Sequence, residues 1–117
     1  MSGLVSYHAG LAAEDSVARH YSRSGHRVVE RRWRGKGGEI DVIAQFGGDT
    51  IFIEVKKSDS HAAAALRVSD RQVRRLFDCA GEYMGGLPDG MLSSVRFDVA
   101  LVDAAGRIEI IENALAA

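Results

Sequence analysis

The sequence predicts an α/β protein, a mixed β-sheet of about five strands flanked by helices in the order α-β-β-β-α-β-β. Three observations carry this reading. Apolar residues recur at helical spacing near the start of the chain and again after residue 72, period-two alternation runs through 39–46 and 50–57, and glycine-rich breaks separate these stretches. At 117 residues, 46% hydrophobic and 26% charged, the chain has the size and composition of a single domain, 1–117, which excludes disorder, collagen and a disulfide scaffold.

Tyr7, Leu11, Glu14, Ala18 and Tyr21 follow one another at spacings of four, three, four and three, one face of a first helix that should stop before Gly25. HRVVERRWR, 26–34, is a β-leaning run broken by Gly35, Gly37 and Gly38. In EIDVIAQF, 39–46, Ile40, Val42, Ala44 and Phe46 should face one way and Glu39, Asp41, Ile43 and Gln45 the other. After a turn at Gly47, Gly48 and Asp49, TIFIEVKK sets Ile51, Ile53 and Val55 opposite Phe52, Glu54 and Lys56, so the two runs read as a β-hairpin. Residues 57–68 show no strand period and read as a loop or frayed helix start. Ser69 and Gln72 have capping-box spacing, and Val73, Leu76, Ala80 and Tyr83 form the stripe of a second helix that ends at Gly85-Gly86. Beyond a Pro88-Asp89-Gly90 turn, 96–102 and 107–111 form a second hairpin around the turn at 103–106.

The net charge of −1 conceals an uneven distribution. Residues 1–18 carry −2, 19–75 carry +6 and 76–117 carry −5. A basic middle can present one face to a polyanion, or can simply be a solvated set of arginines. No apolar run approaches the roughly 20 residues of a membrane span, and the opening residues lack a signal-peptide pattern. A cytoplasmic protein with no membrane association is therefore expected. The single cysteine, Cys79, permits no internal disulfide and reads as a small core residue. The four histidines show no zinc-ligand spacing with it.

The chemistry concentrates in the first hairpin. With the turn centred on Gly47–Asp49, Asp41 and Glu54 come nearly opposite each other, within roughly 5–8 Å. Like charges so placed destabilise a hairpin unless a cation lies between them. A hard divalent ion held by one or two carboxylates and several waters meets that need. Asp41 and Glu54 would be the ligands, the Val55 carbonyl a third donor, and Lys56 an ammonium able to stabilise charge developing on a phosphoryl group. Glu14 falls in the apolar stripe of the first helix, where an ionised carboxylate is costly unless paired or metal-bound. A metal role and a hydrogen bond to a strand lysine or arginine are both open to it.

These residues also carry a resemblance. GGEIDVIA (37–44), IFIEVK (51–56) and RFDVALV (96–102), with the opening AGLAAEDSVARHY helix and the closing IENAL, resemble the bacterial YraN family, whose members are similar to PD-(D/E)xK endonucleases of the restriction-enzyme and Holliday-junction-resolvase kind. The resemblance implies a restriction-endonuclease-like fold and a metal-dependent endonuclease using Mg²⁺ or Mn²⁺. Glu14 matches the acid of its first helix, Asp41 the acid of its second strand, and Glu54 and Lys56 its E-x-K pair. Glu39 belongs to the same G-E-I-D motif and ranks below Asp41 as a ligand. The chain departs from the family's pattern at Arg32, where an asparagine is common, at Lys57-Ser58, where an arginine often follows E-V-K, and at Gln72, where a lysine is common.

DNA, branched or damaged, is the expected substrate, ahead of RNA. Arg31, Arg32, Arg34, Lys36, Lys57, Arg71, Arg74 and Arg75 are the expected phosphate contacts, which would position a nucleic acid without reading its sequence. Trp33 could stack on a base or pack on the sheet. Resolvase-like relatives suggest a homodimer. The alternative function is a non-catalytic nucleic-acid-binding or interaction module on the same fold. Sequence alone leaves the role of Asp98 open between a buried hydrogen bond and catalysis.

Overall fold

The computed structural model describes residues 3–57, 70–87 and 94–114, with side chains from Gly10 onward. Helix α1 spans Gly3–Arg23. Strands β1 (Arg27–Arg34), β2 (Glu39–Phe46) and β3 (Asp49–Lys57) follow, then helix α2 (Asp70–Gly85), β4 (Ser94–Val102) and β5 (Ile108–Ile111). The five strands lie side by side in chain order. β1–β2, β2–β3 and β4–β5 are antiparallel, whereas β3 and β4 run parallel because α2 lies between them in the chain. The result is an open mixed sheet in an α/β protein, in the order expected from the sequence.

Each helix covers one face of the sheet. Ala13, Val17 and Tyr21, four residues apart, make a line down α1 that packs on Val42, Ala44, Ile51, Ile53, Ala100 and Val102. On the other face Leu76, Cys79, Ala80 and Met84 of α2 meet Ile40, Ile43 and Phe52, with Trp33, Tyr83 and Phe97 around them. Trp33 sits edge-on to Tyr83 at 5.4 Å, so it packs on the sheet. Full burial of an Ile or Phe contributes about 1.5–3 kcal/mol, enough for two such faces to tolerate charges at their margin. The end of α1 follows from Gly25. Its φ of 88° lets the Gly25 amide reach the Ser22 carbonyl and the His26 amide reach that of Tyr21, which closes the last turn.

One expectation changes. Strict alternation along β2 fails at Asp41: Val42 and Ala44 face α1, but Ile40 packs with Ile43 beneath α2. The partner strand changes at the same place: between Arg31↔Val42 and Trp33↔Ile40, Arg32 passes Asp41 with a left-handed backbone at φ 52°. Phe46 ends the strand at the rim of the face that carries Val42 and Ala44, 51% exposed and leaning on His26 at 4.7 Å. Glu14 lies within the buried face of α1, as expected, among Val17, Ala18 and Tyr21, its side chain 15% exposed. The loop expected beyond Lys57, the Ser69 half of the capping box and the Pro88-Asp89-Gly90 turn lie outside the described residues. Among the described residues no helix is long and apolar enough to cross a membrane.

Candidate active site

The site forms where β2 and β3 part. Their ladder runs from Phe46↔Asp49 to Val42↔Ile53 and then stops, although both strands continue. The Val55 amide therefore lacks a strand carbonyl on that side, and Asp41 supplies the acceptor: Val55 N donates to Asp41 Oδ2 at 2.8 Å. In an extended strand a residue's N–H and C=O point to the same edge, so the Val55 carbonyl faces β2 as well. Burial pushes the Asp41 carboxyl above the usual carboxylate range, opposed by the Val55 hydrogen bond and augmented by Glu39.

Glu54, one residue back on β3, lines a cleft with Glu39 of β2 and Gln72, Arg75 and Leu76 of α2. Burial, then the Asp41 charge, pushes its carboxyl up to about 7. Lys56 Nζ stands 3.5 Å from Glu54 Oε1, and both side chains are largely buried. Glu14 reaches in from α1. Burial, then the Asp41 charge, pushes it up to about 7 against the pull of Arg32. Its Oε1 is buried without a hydrogen-bond partner, and the nearest cation is Arg32, whose Nε lies 3.8 Å from it and 3.6 Å from Glu39 Oε1. Asp41, Glu54, Lys56, Glu14 and Glu39 are thus brought together, from α1, β2 and β3.

Among the described residues no three His, Cys, Asp or Glu side chains converge as a ready-made metal cage. Asp41 and Glu54 instead form a two-carboxylate pair, a donor set suited to Mg²⁺ or Mn²⁺, which retain several waters. The fit has a physical sign: burial raises both carboxyls, Lys56 and the Val55 amide offset it only in part, and a divalent cation would reverse it.

The basic residues do not act as a set. Arg31 pairs with Asp15, Arg32 with Glu14 and Glu39, and Arg34 with Glu39 at 3.1 Å. The Lys36 amide is tied to Glu82 Oε1 at 2.9 Å. Lys57 lines a separate hollow under α1 with Ala12, Ser16 and Gly106, away from the cleft. Arg71, Arg74 and Arg75 are exposed on α2, and of the three Arg75 lines the cleft beside Leu76.

Asp98, for which the sequence leaves a buried hydrogen bond and catalysis open, is a buried hub. It accepts hydrogen bonds from Tyr21 OH at 2.7 Å, Arg96 Nε and Nη2 at 2.9 Å each, and the Asn113 amide at 3.0 Å. It ties α1 to β4 and to the segment after β5. One signal could have pointed to it: a lone acid inside the apolar run FDVALV, with an arginine two residues before it on the same strand face. Cys79 is fully buried, as expected, and burial pushes its thiol pKa up.

The fold and this cluster define an α/β protein whose five-stranded mixed sheet opens beside one strand pair to gather buried acids and a lysine. The chain belongs to the uncharacterised protein family UPF0102, the YraN family of the sequence resemblance; the family model matches residues 13–102, a span that includes Glu14, Asp41, Glu54, Lys56 and Asp98. It is similar to a UPF0102 protein of Cereibacter sphaeroides strain KD131, 64% identical over 117 residues and covering all of both chains. It is also similar to UPF0102 proteins of Ruegeria pomeroyi, 52% identical over 112 residues (96% of this chain, 91% of the relative), and of Roseobacter denitrificans, 51% identical over 114 residues (97% and 88%).

Proposed function

We propose that the protein is a metal-dependent endonuclease that hydrolyses phosphodiester bonds in DNA. The observation that carries this reading is the opened β2–β3 junction, where Asp41 takes the Val55 amide and so stands beside Glu54 with Lys56 next to it. A strand pair built for stability would not place two buried carboxylates together there. Asp41 and Glu54 would hold Mg²⁺ or Mn²⁺, with the Val55 carbonyl as a third donor. When bound, such an ion lowers the pKa of an attacking water and neutralises charge on phosphoryl oxygens. Lys56, held by Glu54, orients that water and stabilises negative charge as it develops on the phosphoryl group. Glu14 acts through Asp41, whose charge it feels from α1.

The test is incubation of the purified protein with duplex, single-stranded and four-way-junction DNA plus Mn²⁺, beside Asp41→Ala and Lys56→Ala. Cleavage by wild type that both variants lose supports the reading; equal cleavage, or equal inertness, removes it. A second reading, a non-catalytic nucleic-acid-binding module, draws on the three exposed arginines of α2 and on Arg32 already serving the acids as a cation. It expects salt-sensitive DNA binding and no cleavage with any divalent ion.

A further inference from the structure

We propose that Arg75 is a phosphate-binding residue. Its guanidinium would receive a phosphodiester group on the α2 wall of the cleft, and the Gly38 backbone is the seat on which its stem lies. The proposal deepens the nuclease reading and rests on it for the identity of the ligand as nucleic acid.

Two observations converge on this arginine. Arg75 lines the same cleft as Glu39 and Glu54 yet forms no ion pair with either, whereas Arg31, Arg32, Arg34, Arg96 and Arg107 are each paired with an acid. An arginine that lines the cleft of two carboxylates without pairing with either keeps its guanidinium available to an incoming anion. The second observation is packing. Gly38 has a φ of 147°, and a Cβ at this position would stand 2.8 Å from Arg75 Cδ and 3.1 Å from its Cγ. The arginine stem therefore lies directly on glycine backbone, in space that any side chain would fill. Cys79 Sγ, 3.5 Å from the same point, backs the contact from the helix.

The chemistry of the ligand follows. A phosphodiester entering between Glu39 and Glu54 meets negative charge from both, so its approach needs a cation on the wall. Arginine presents a planar fork that matches two phosphate oxygens, and a stem already held loses less freedom on binding. Arg71 and Arg74 are exposed on α2 but do not line the cleft, so their contacts with a nucleic acid would be peripheral.

The experiment measures binding of a short fluorescein-labelled DNA duplex by anisotropy across a salt series, with Ca²⁺ in place of a catalytic ion. Arg75→Ala should weaken binding about tenfold and lower the slope of log affinity against log salt by about one, the loss of one phosphate contact. Arg74→Ala should cost less than Arg75→Ala. Gly38→Ala should weaken binding in the same direction without changing charge. In case that variant fails to fold, the Nε–H signal of Arg75 in wild type is followed by NMR on addition of thymidine dinucleotide, which carries one phosphodiester. A shift of the Arg75 signal supports the proposal. Wild-type duplex binding with Arg75→Ala unchanged, or shifts at other arginines only, overturns it while leaving nucleic-acid binding intact. If wild type does not bind duplex at all, the nucleic-acid reading falls, and the dinucleotide titration still decides the phosphodiester site.

Discussion

Asp41 Oδ2 accepts the Val55 amide at 2.8 Å, a side chain from one strand completing the hydrogen bonding of the next where their ladder has opened. The contact gives Asp41 a structural part and an electrostatic one, and substitution separates them. Asn keeps an oxygen for the Val55 amide and removes the charge, so Asp41→Asn should fold with near wild-type stability. Asp41→Ala orphans the amide at a cost of about 1–3 kcal/mol. With the Asp41 charge gone, Glu54 should titrate below its present value of about 7, since that charge is the second cause of its rise after burial. A ¹³C carboxyl titration of Asp41→Asn checks this. Glu54 remaining at about 7 would mean that burial alone sustains the shift.

Glu14 and Glu54 also set a pH dependence of stability. Each titrates near 7 when folded and near 4.5 as an ordinary glutamate. The folded state thus holds protons that the unfolded state gives up, and the stability this confers is full below about 4.5 and is lost as pH rises through about 7. Each pKa unit corresponds to about 1.4 kcal/mol, so the two acids together account for a few kcal/mol. Urea unfolding in EDTA should therefore show stability falling across this window, with Glu14→Gln and Glu54→Gln flattening the fall. Added Mn²⁺ should raise stability most at the alkaline end. A metal-free protein whose stability holds constant or increases over that range would contradict the buried-acid picture.

Asp98 should be the most costly single acid to remove. It has no solvent exposure and satisfies four donors at once. Asp98→Ala leaves the Arg96 guanidinium and the Tyr21 hydroxyl without their acceptor, a loss of about 3–5 kcal/mol by analogy with other broken buried charge pairs. Tyr21→Phe removes one bond of the four and should cost about 1–2 kcal/mol. Chemical denaturation of the two variants gives the comparison, and equal losses would show that the hydroxyl, not the arginine pair, carries the network.

How far the sequence reveals this molecule depends on how local the cause is. The β3 alternation and the second-helix stripe depend on neighbouring residues alone, and the Asp41–Glu54 juxtaposition needs only the hairpin turn, so all three are legible. The face reversal at Asp41 is not, because it goes with the left-handed backbone of Arg32 on the partner strand, which period-two alternation does not foresee. Glu14 falls in a helical stripe by spacing and is buried there beside Val17, Ala18 and Tyr21, but the cation it meets, Arg32, comes from β1 and is not legible locally. The Asp98 hub joins residues 77 positions apart. Arg31, Arg32 and Arg34 look in sequence like a phosphate-binding run, and their engagement with Asp15, Glu14 and Glu39 appears only once α1 is laid beside β1 and β2.

Arg32 supplies the last prediction, because its backbone and its charge make separate demands. At φ 52° it occupies a region that glycine and asparagine enter readily and β-branched residues do not. Arg32→Asn and Arg32→Gly should therefore keep the β1 irregularity and the fold, whereas Arg32→Val should lose about 1–3 kcal/mol to backbone strain. The guanidinium, near Glu14 at 3.8 Å and Glu39 at 3.6 Å, lowers the proton affinity of Glu14. Its removal in Arg32→Asn should push the Glu14 pKa above its present value of about 7 and steepen the loss of stability at alkaline pH. Urea midpoints for the Asn, Gly and Val variants, with a carboxyl titration of the Asn variant, test both halves. If Val is tolerated as well as Asn, the left-handed backbone is not required at this position; if the Glu14 titration stays put, Arg32 is not its counter-ion.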